Sequence, residues 1–197
     1  MTTVTCDIAV SSDGYAAGPH QSLENPIGEG GHGVHRWMVE RAAENAQEIA
    51  AIVEAGAYIM GRNMFTPGRG EWDDDWTGWW GEDPPYHAPV FVLTHYPRPP
   101  LAMQGGTTFF FVTDGIESAL EQARAAAGEK TVSVAGGAAT VRQYLAAGLI
   151  DELRLHVAPV VLGSGEPLLA GLDNLGLEQV SSVEKELVTH VTYRRAR

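Results

Sequence analysis

Val134-Ala135-Gly136-Gly137-Ala138-Ala139-Thr140 joins an apolar run, Thr131 to Ala135, to a helix-forming run, Ala138 to Ala147, through two glycines. A strand that turns through glycine into a helix is the repeating unit of an α/β sheet. Such a turn gathers unpaired backbone N–H groups at the positive end of the helix dipole. Two readings of the turn stay open: a tight corner that lets the helix pack on its strand, or a cradle for a phosphate.

Working outward, Val4, Cys6, Ile8 and Val10 alternate, which predicts a strand over 4–10 closed by the turn residues Asp13-Gly14. Residues 18–33 hold five glycines and two prolines and read as a loop. Met38, Ala42, Ala46, Ile49 and Val53 share one face of a helix predicted over 35–55, with Gly56 as its C-cap. Short strands follow at 57–60, 89–93 and 108–112. Asp114 and Glu117 have capping-box spacing at the start of a helix that ends near Gly128. Strands at 153–162 and 187–194 complete the chain, the first broken by Gly163-Ser164-Gly165. Helices separate the early strands but not the last two. This order predicts a mostly parallel sheet with helices on both faces and an antiparallel C-terminal edge.

Residues 66–89 stand apart. They carry four tryptophans, six acidic residues and several helix breakers. Linkers seldom hold four tryptophans, so the segment reads as a long ordered loop inserted in a single domain over 1–197. The 197 residues suffice for one sizeable core. A net charge of −12 opposes nucleic-acid backbones and anionic lipid. The lone Cys6 leaves no intrachain disulfide and fits a cytoplasmic setting. No apolar run is long enough to span a bilayer, and the N-terminus lacks the pattern of a signal peptide.

Two further strand ends carry polar chemistry. Ile59-Met60-Gly61-Arg62-Asn63-Met64-Phe65 follows a strand with a glycine and an arginine, whose fork of donors suits phosphate oxygens or an acidic neighbour. Val92-Leu93-Thr94-His95-Tyr96-Pro97-Arg98 delivers a hydroxyl, an imidazole and a guanidinium together. With Gly136-Gly137 these lie at the C-terminal ends of strands, the edge where open α/β sheets bind ligands.

With those residues the chain resembles the dihydrofolate reductase-like superfamily. More narrowly, it resembles the C-terminal reductase domain of the bifunctional riboflavin-pathway deaminase/reductase. The likeness rests on 9–19 (AVSSDGYAAGP), Met60 to Phe65, Ala135-Gly136-Gly137-Ala138, Asp151-Glu152-Leu153 and 159–165 (PVVLGSG), in the family's order across nearly the whole chain. The resemblance implies a three-layer fold and an NADPH-dependent reductase of a small flat heterocycle, pyrimidine- or pterin-like. Within that class, 5-amino-6-(5-phosphoribosylamino)uracil reductase of riboflavin biosynthesis is an alternative. It implies that Gly61 and Arg62 hold the pyrophosphate or 2′-phosphate. Thr94, His95 and Arg98 would lie near the adenosine 2′-phosphate, and Gly136, Gly137, Ala138 and Ala139 would supply backbone N–H groups. Ala9 and Val10 would lie along the nicotinamide, with the loop to Gly18 at its ribose. His35 and Trp37 would face the substrate, and a homodimer is expected.

Two positions depart from the family pattern. Val34 stands where dihydrofolate reductases carry the first-helix carboxylate, and Gly56-Ala57 stands where an Asp-Ala pair is usual. Asp13 is the candidate acid, with a plain turn role as its alternative. Trp72, Trp76, Trp79 and Trp80 read as a packed loop, a lid or a stacking surface. His32 and His35 lack the partner ligands of a metal site, and His156 and His190 read as structural histidines on strands. The missing carboxylate also motivates a reading of another class, a non-catalytic NADPH-binding sensor or partner subunit.

Overall fold

The computed structural model describes residues 2–196. The first strand, β1 (Val4–Ser11), is buried along its whole length. It is followed by β2 (Tyr15–Ala17), α1 (His32–Glu40), α2 (Ala46–Ile52), β3 (Ala57–Gly61) and the short α3 (Arg62–Phe65). Next come β4 (Pro89–Leu93), β5 (Leu101–Ala102), β6 (Thr108–Val112), α4 (Ile116–Ala127), β7 (Val132–Gly136) and α5 (Ala138–Ala146). The C-terminal part supplies β8 (Glu152–Ala158), β9 (Glu166–Pro167), β10 (Leu177–Lys185) and β11 (Val188–Arg195).

Among the described residues nine strands form one sheet in the order β10-β11-β8-β1-β7-β3-β4-β6-β5. The run from β8 to β6 is parallel. β10 and β11 form an antiparallel hairpin on β8, and β5 adds an antiparallel strand at the other edge. The fold is therefore α/β with a mostly parallel sheet and an antiparallel C-terminal edge.

Strand alternation divides the side chains between two layers. Val4, Cys6, Ile8 and Val10 meet Ala119, Leu120, Ala123, Val141, Tyr144 and Leu145, so α4 and α5 cover one face. The opposite face has two covers. Over β1 and β8 lies α1, which buries Val34 and Trp37. Over β3, β4 and β6 lies the 66–89 loop, whose Trp72, Trp76 and Trp80 pack against a core of Tyr58, Met60, Phe65, Val90, Val92 and Phe109. The loop thus fills a place that a helix layer occupies elsewhere on the sheet.

Four local expectations are corrected. The helix over 35–55 is two helices, because Arg41 leaves helical geometry at φ −129° and its carbonyl accepts the Asn45 side-chain amide at 2.8 Å. That side-chain bond competes with helix continuation. Ala42, Ala46 and Val53 are exposed, so the buried stripe is Val34 and Trp37 instead. Gly56 donates its N–H to Thr131 O at 2.9 Å and leads into β3; the cap of α2 is Val53. Asp114 does not cap α4, whose N-cap is Gly115 with no side-chain bond. The strand β10 escaped the sequence reading because its residues are almost all exposed and show no apolar alternation.

Gly61 and Gly136 need to be glycine for different reasons. A Cβ on Gly61 would lie 2.2 Å from Thr140 Oγ1, so the end of β3 touches α5. Gly136 adopts φ +136°, and a Cβ there would sit 3.1 Å from Met64 Sδ. Together they bring β3, β7 and the start of α5 against one another.

Candidate active site

A cavity of about 1070 Å³ opens along the C-terminal ends of β7, β3 and β4, which are neighbours in the sheet. It is larger than the roughly 300–1,000 Å³ typical of pockets for one drug-sized ligand. Gly136, Gly137, Ala138 and Ala139 form one wall. α5 begins after Gly137, and its first N–H groups have no intrahelical acceptor. Gly61 and Arg62 form the middle, and Thr94 and His95 the far side. Ala9, His35 and Trp37 line the part under β1 and α1.

Arg62 is held by aromatic rings. Its guanidinium carbon lies 4.0 Å from the Trp72 ring centroid and 5.1 Å from that of Tyr96. Nη2 donates to Glu71 O at 3.2 Å, while Nε has no partner. Burial lowers its pKa from the usual value without removing the charge. Thr94 Oγ1 accepts the Tyr96 N–H at 3.1 Å and so shapes the turn that carries His95. His35 lies 3.4 Å from Gly31 O through Nδ1, and burial lowers its pKa, which keeps it neutral at pH 7.

Four expected site residues lie elsewhere. Asp13 does not line the cavity. Its carboxylate accepts Ser11 Oγ–H at 2.6 Å, Leu162 N–H at 3.1 Å and Gly163 N–H at 2.7 Å. These bonds, the serine first, hold its pKa down to about 2, so it clasps the 159–165 loop as a carboxylate and has no proton to give near neutral pH. Val10 is buried in the layer under α5, and Gly18 donates to Ile27 O at 2.9 Å within its loop. Arg98 braces the Trp-rich loop: its Nη2 donates to Asp74 O at 2.9 Å, and its guanidinium lies over Trp72 and Phe111 at 5.3 and 5.2 Å. Arg98 thus props that loop from outside the cavity, with Nη1 left without a partner.

The cavity also gathers residues that were not singled out as ligands. Arg69 and Asn63 line it and are bonded to each other. Trp79 and Trp80 line it as well, whereas Trp72 and Trp76 are tied down by Nε1–H bonds to Tyr96 O and Phe65 O, each 2.8 Å. Trp72 and Trp76 thus pack the loop, Trp79 faces the cavity, and Trp80 does both. Asp7 and His156 complete the wall beside Trp37. The signal for Asp7 was present in the sequence as a lone acid inside an apolar strand.

Among the described residues no helix is long and apolar enough to cross a membrane. The sequence model of the RibD C-terminal domain family matches residues 2–191. In fold the chain is similar to a candidate riboflavin biosynthesis protein from Shewanella sp. PV-4, with 24% identity, TM-score 0.67 and full coverage of both chains. It is similar to the deaminase/reductase of Thermotoga maritima, with 15% identity and TM-score 0.61, covering 99% of this chain and 57% of that one. It is similar too to Enterococcus faecalis dihydrofolate reductase solved with NADP(H), with 15% identity, TM-score 0.55 and coverage of 99% and 97%. In sequence it is 38% identical over 58 residues to the uncharacterized Bacillus subtilis (strain 168) protein YyaP. That match spans 29% of this chain and 30% of the relative. The match over nearly all of its length and the shared sheet make the conclusion plain: the chain belongs to the RibD C-terminal domain family, a family of reductase domains.

Proposed function

We propose that the chain is an NADPH-dependent reductase acting on a small flat heterocycle of the pyrimidine or pterin kind. The observation that carries this reading is the single cavity shared by Gly136–Ala139, Gly61–Arg62, Thr94–His95 and Ala9. Its volume suits a dinucleotide together with a small ring.

The residues fit the cofactor. The N-terminus of α5 offers N–H groups to a pyrophosphate. Arg62 with its partnerless Nε, and Arg69 nearby, offer positive charge in a chain of net charge −12. They would supply locally the attraction that the protein as a whole lacks. Ala9 presents only a methyl group, which leaves room for a ring laid along β1. NADPH, when bound, supplies a hydride. The protein's part is to hold donor and acceptor close in a place with little water, and buried Trp37 in the wall helps to exclude it.

Titration of the purified protein with NADPH and with NADH, followed by NADPH oxidation in the presence of aminopyrimidines and dihydrofolate, tests the proposal. Tight NADPH binding with oxidation by at least one heterocycle is the expected result. Tight binding with no oxidation by any of them favours a sensor, and no binding overturns the reading. We also propose that two copies associate; sedimentation equilibrium should give twice the 21.1 kDa chain mass.

A further inference from the structure

Among the described residues, three buried polar atoms in the part of the cavity under β1 and α1, apart from Arg62 Nε, lack a hydrogen-bond partner: Asp7 Oδ1, His156 Nε2 and Trp37 Nε1. All three residues line the cavity. The Asp7 and His156 side chains are each 3% exposed, and their Oδ1 and Nε2 atoms stand 3.6 Å apart, beyond bonding distance. The Trp37 and His156 rings are 4.9 Å apart. Buried polar atoms are rarely left unpaired, so this group marks where the polar atoms of a ligand belong.

The hydrogen positions follow from a chain of bonds running away from the cavity. Arg41 O can only accept, so Asn45 must present its amide nitrogen to it, at 2.8 Å. Asn45 Oδ1 then faces His190 Nε2 at 2.8 Å, which makes that nitrogen the donor. Burial first, and the field of His156 second, push the His190 pKa down to about 4, so the ring is neutral at pH 7 and its Nδ1 is bare. His156 Nδ1, 2.8 Å from His190 Nδ1, must therefore carry the hydrogen between them. This leaves His156 Nε2 facing a carboxylate oxygen. Two lone pairs would oppose each other there unless a proton occupies the pair.

From this geometry we infer that Asp7 and His156 hold one transferable proton in the cavity wall and deliver it to a ring nitrogen of the bound heterocycle. His190 and Asn45 are positioning residues that fix the tautomer. The inference rests on the reductase reading. It names the proton source that Val34, in place of a first-helix carboxylate, leaves open. Strand register puts the source in the right place: Ala9 pairs with His156 across β1 and β8, and Asp7 pairs with Arg154. Proton and hydride can thus reach neighbouring atoms. In the step, the carbon of a C=N bond takes the hydride and its electron pair, and the nitrogen takes the proton from His156. The bond becomes CH–NH, NADPH becomes NADP⁺, and the pair is recharged from solvent. One acceptor, Asp7, beside two donors, Trp37 and protonated His156, suits the edge of an aminopyrimidine, which offers an N–H and ring acceptors.

The other groups around the pair come from six elements. Arg154 Nη1 lies 3.1 Å from Asp7 Oδ1, without hydrogen-bond geometry, and its Nε lies 3.0 Å from Glu152. Cys6 on β1 and Tyr58 on β3 are raised by burial, the latter to about 12, and His35 on α1 is lowered by burial, so all three are neutral at pH 7. Glu48 of α2 and Lys185 of β10 face His190 from behind, paired at 2.9 Å. With the Arg154 guanidinium beside its carboxylate, Asp7 serves as the acceptor of the pair and His156 as the donor.

Long-range ¹H–¹⁵N spectra of the intact protein labelled at histidine nitrogen test the proton directly. His190 is expected as the neutral Nε2–H tautomer, and His156 protonated at both nitrogens at pH 7. Asp7→Asn should return His156 to a neutral ring with Nε2 bare. A neutral Nε2–H His156 in the wild type, or a spectrum unmoved by Asp7→Asn, overturns the inference. Single-turnover NADPH oxidation with the aminopyrimidine panel tests delivery. Asp7→Asn and His156→Gln should slow it by roughly 10²-fold or more with NADPH affinity unchanged. Rates equal to wild type overturn the donor role. If no heterocycle oxidises NADPH in the wild type, the reductase reading falls, and the spectrum alone decides whether the pair holds its proton.

Discussion

The guanidinium of Arg62 lies over the indole of Trp72, 4.0 Å from its centroid, and one of its terminal nitrogens is bonded to Glu71 O. A cation held by an aromatic face and a carbonyl is oriented before any anion arrives. Arg62→Ala should therefore weaken NADPH binding by 10-fold or more and NADH binding much less. Trp72→Ala should weaken NADPH binding in the same direction by a smaller factor, since it frees the arginine without removing it. Fluorescence titrations with both cofactors check this, and equal weakening of the two would sink the 2′-phosphate role of Arg62.

The contact of Gly61 with Thr140 makes a second prediction. Gly61→Ala sets a Cβ 2.2 Å from Thr140 Oγ1, which must be relieved by moving β3 from α5. The expected cost is about 1–3 kcal/mol, as for other overpacked sites. Thr140→Ala in the same chain should recover most of it. Urea denaturation of the single and double variants reads the coupling, and purely additive losses would count against a direct clash.

Acid stability should depend on His190. Its pKa is about 4 in the folded protein against an ordinary 6.5. The unfolded chain therefore takes up a proton first as pH falls. Stability from this group is complete above pH 6.5 and is lost as pH drops toward 4, by roughly 1–2 kcal/mol once solvent screening is allowed for. His190→Gln should flatten that part of the stability–pH curve in denaturation series between pH 7 and 4. An unchanged slope would mean that the ring titrates normally.

Asp13 should matter for the loop and not for chemistry. Asp13→Asn keeps one acceptor for the Leu162 and Gly163 N–H groups and leaves the cavity wall untouched. NADPH affinity should change by less than threefold, and the pH profile of oxidation should not move. The carboxylate has a lowered pKa, so its contribution is present above the ordinary value of 3.8 and fades as pH falls toward 2. A pH profile shifted by Asp13→Asn would return this residue to the list of proton donors.

What the sequence could show follows from how each residue does its work. Gly136-Gly137 and Gly61-Arg62 were legible because their role is local: a strand ends, the backbone turns, and an N-terminus or a guanidinium is left at the edge. β1 and β7 announced themselves through burial. β10 did not, since its hydrogen bonds to β11 need no apolar pattern. Arg98 and Asp13 were misplaced for a shared reason: each is committed to backbone carbonyls or amides more than 20 residues away, a fact that no spacing rule carries. The chain from Asp7 through His156 and His190 to Asn45 joins β1, β8, β11 and the turn before α2. Only tertiary structure brings those four residues together, so His156 and His190 read as ordinary strand residues until their rings are seen facing each other.

The division of labour among the tryptophans has an optical consequence. Four of the five indoles stand in one loop, and Trp79 and Trp80 face the cavity directly. Reduced nicotinamide absorbs in the region where indoles emit. Indole emission beside the proposed cofactor site would be quenched by energy transfer to a bound reduced nicotinamide and would report occupancy without any added label.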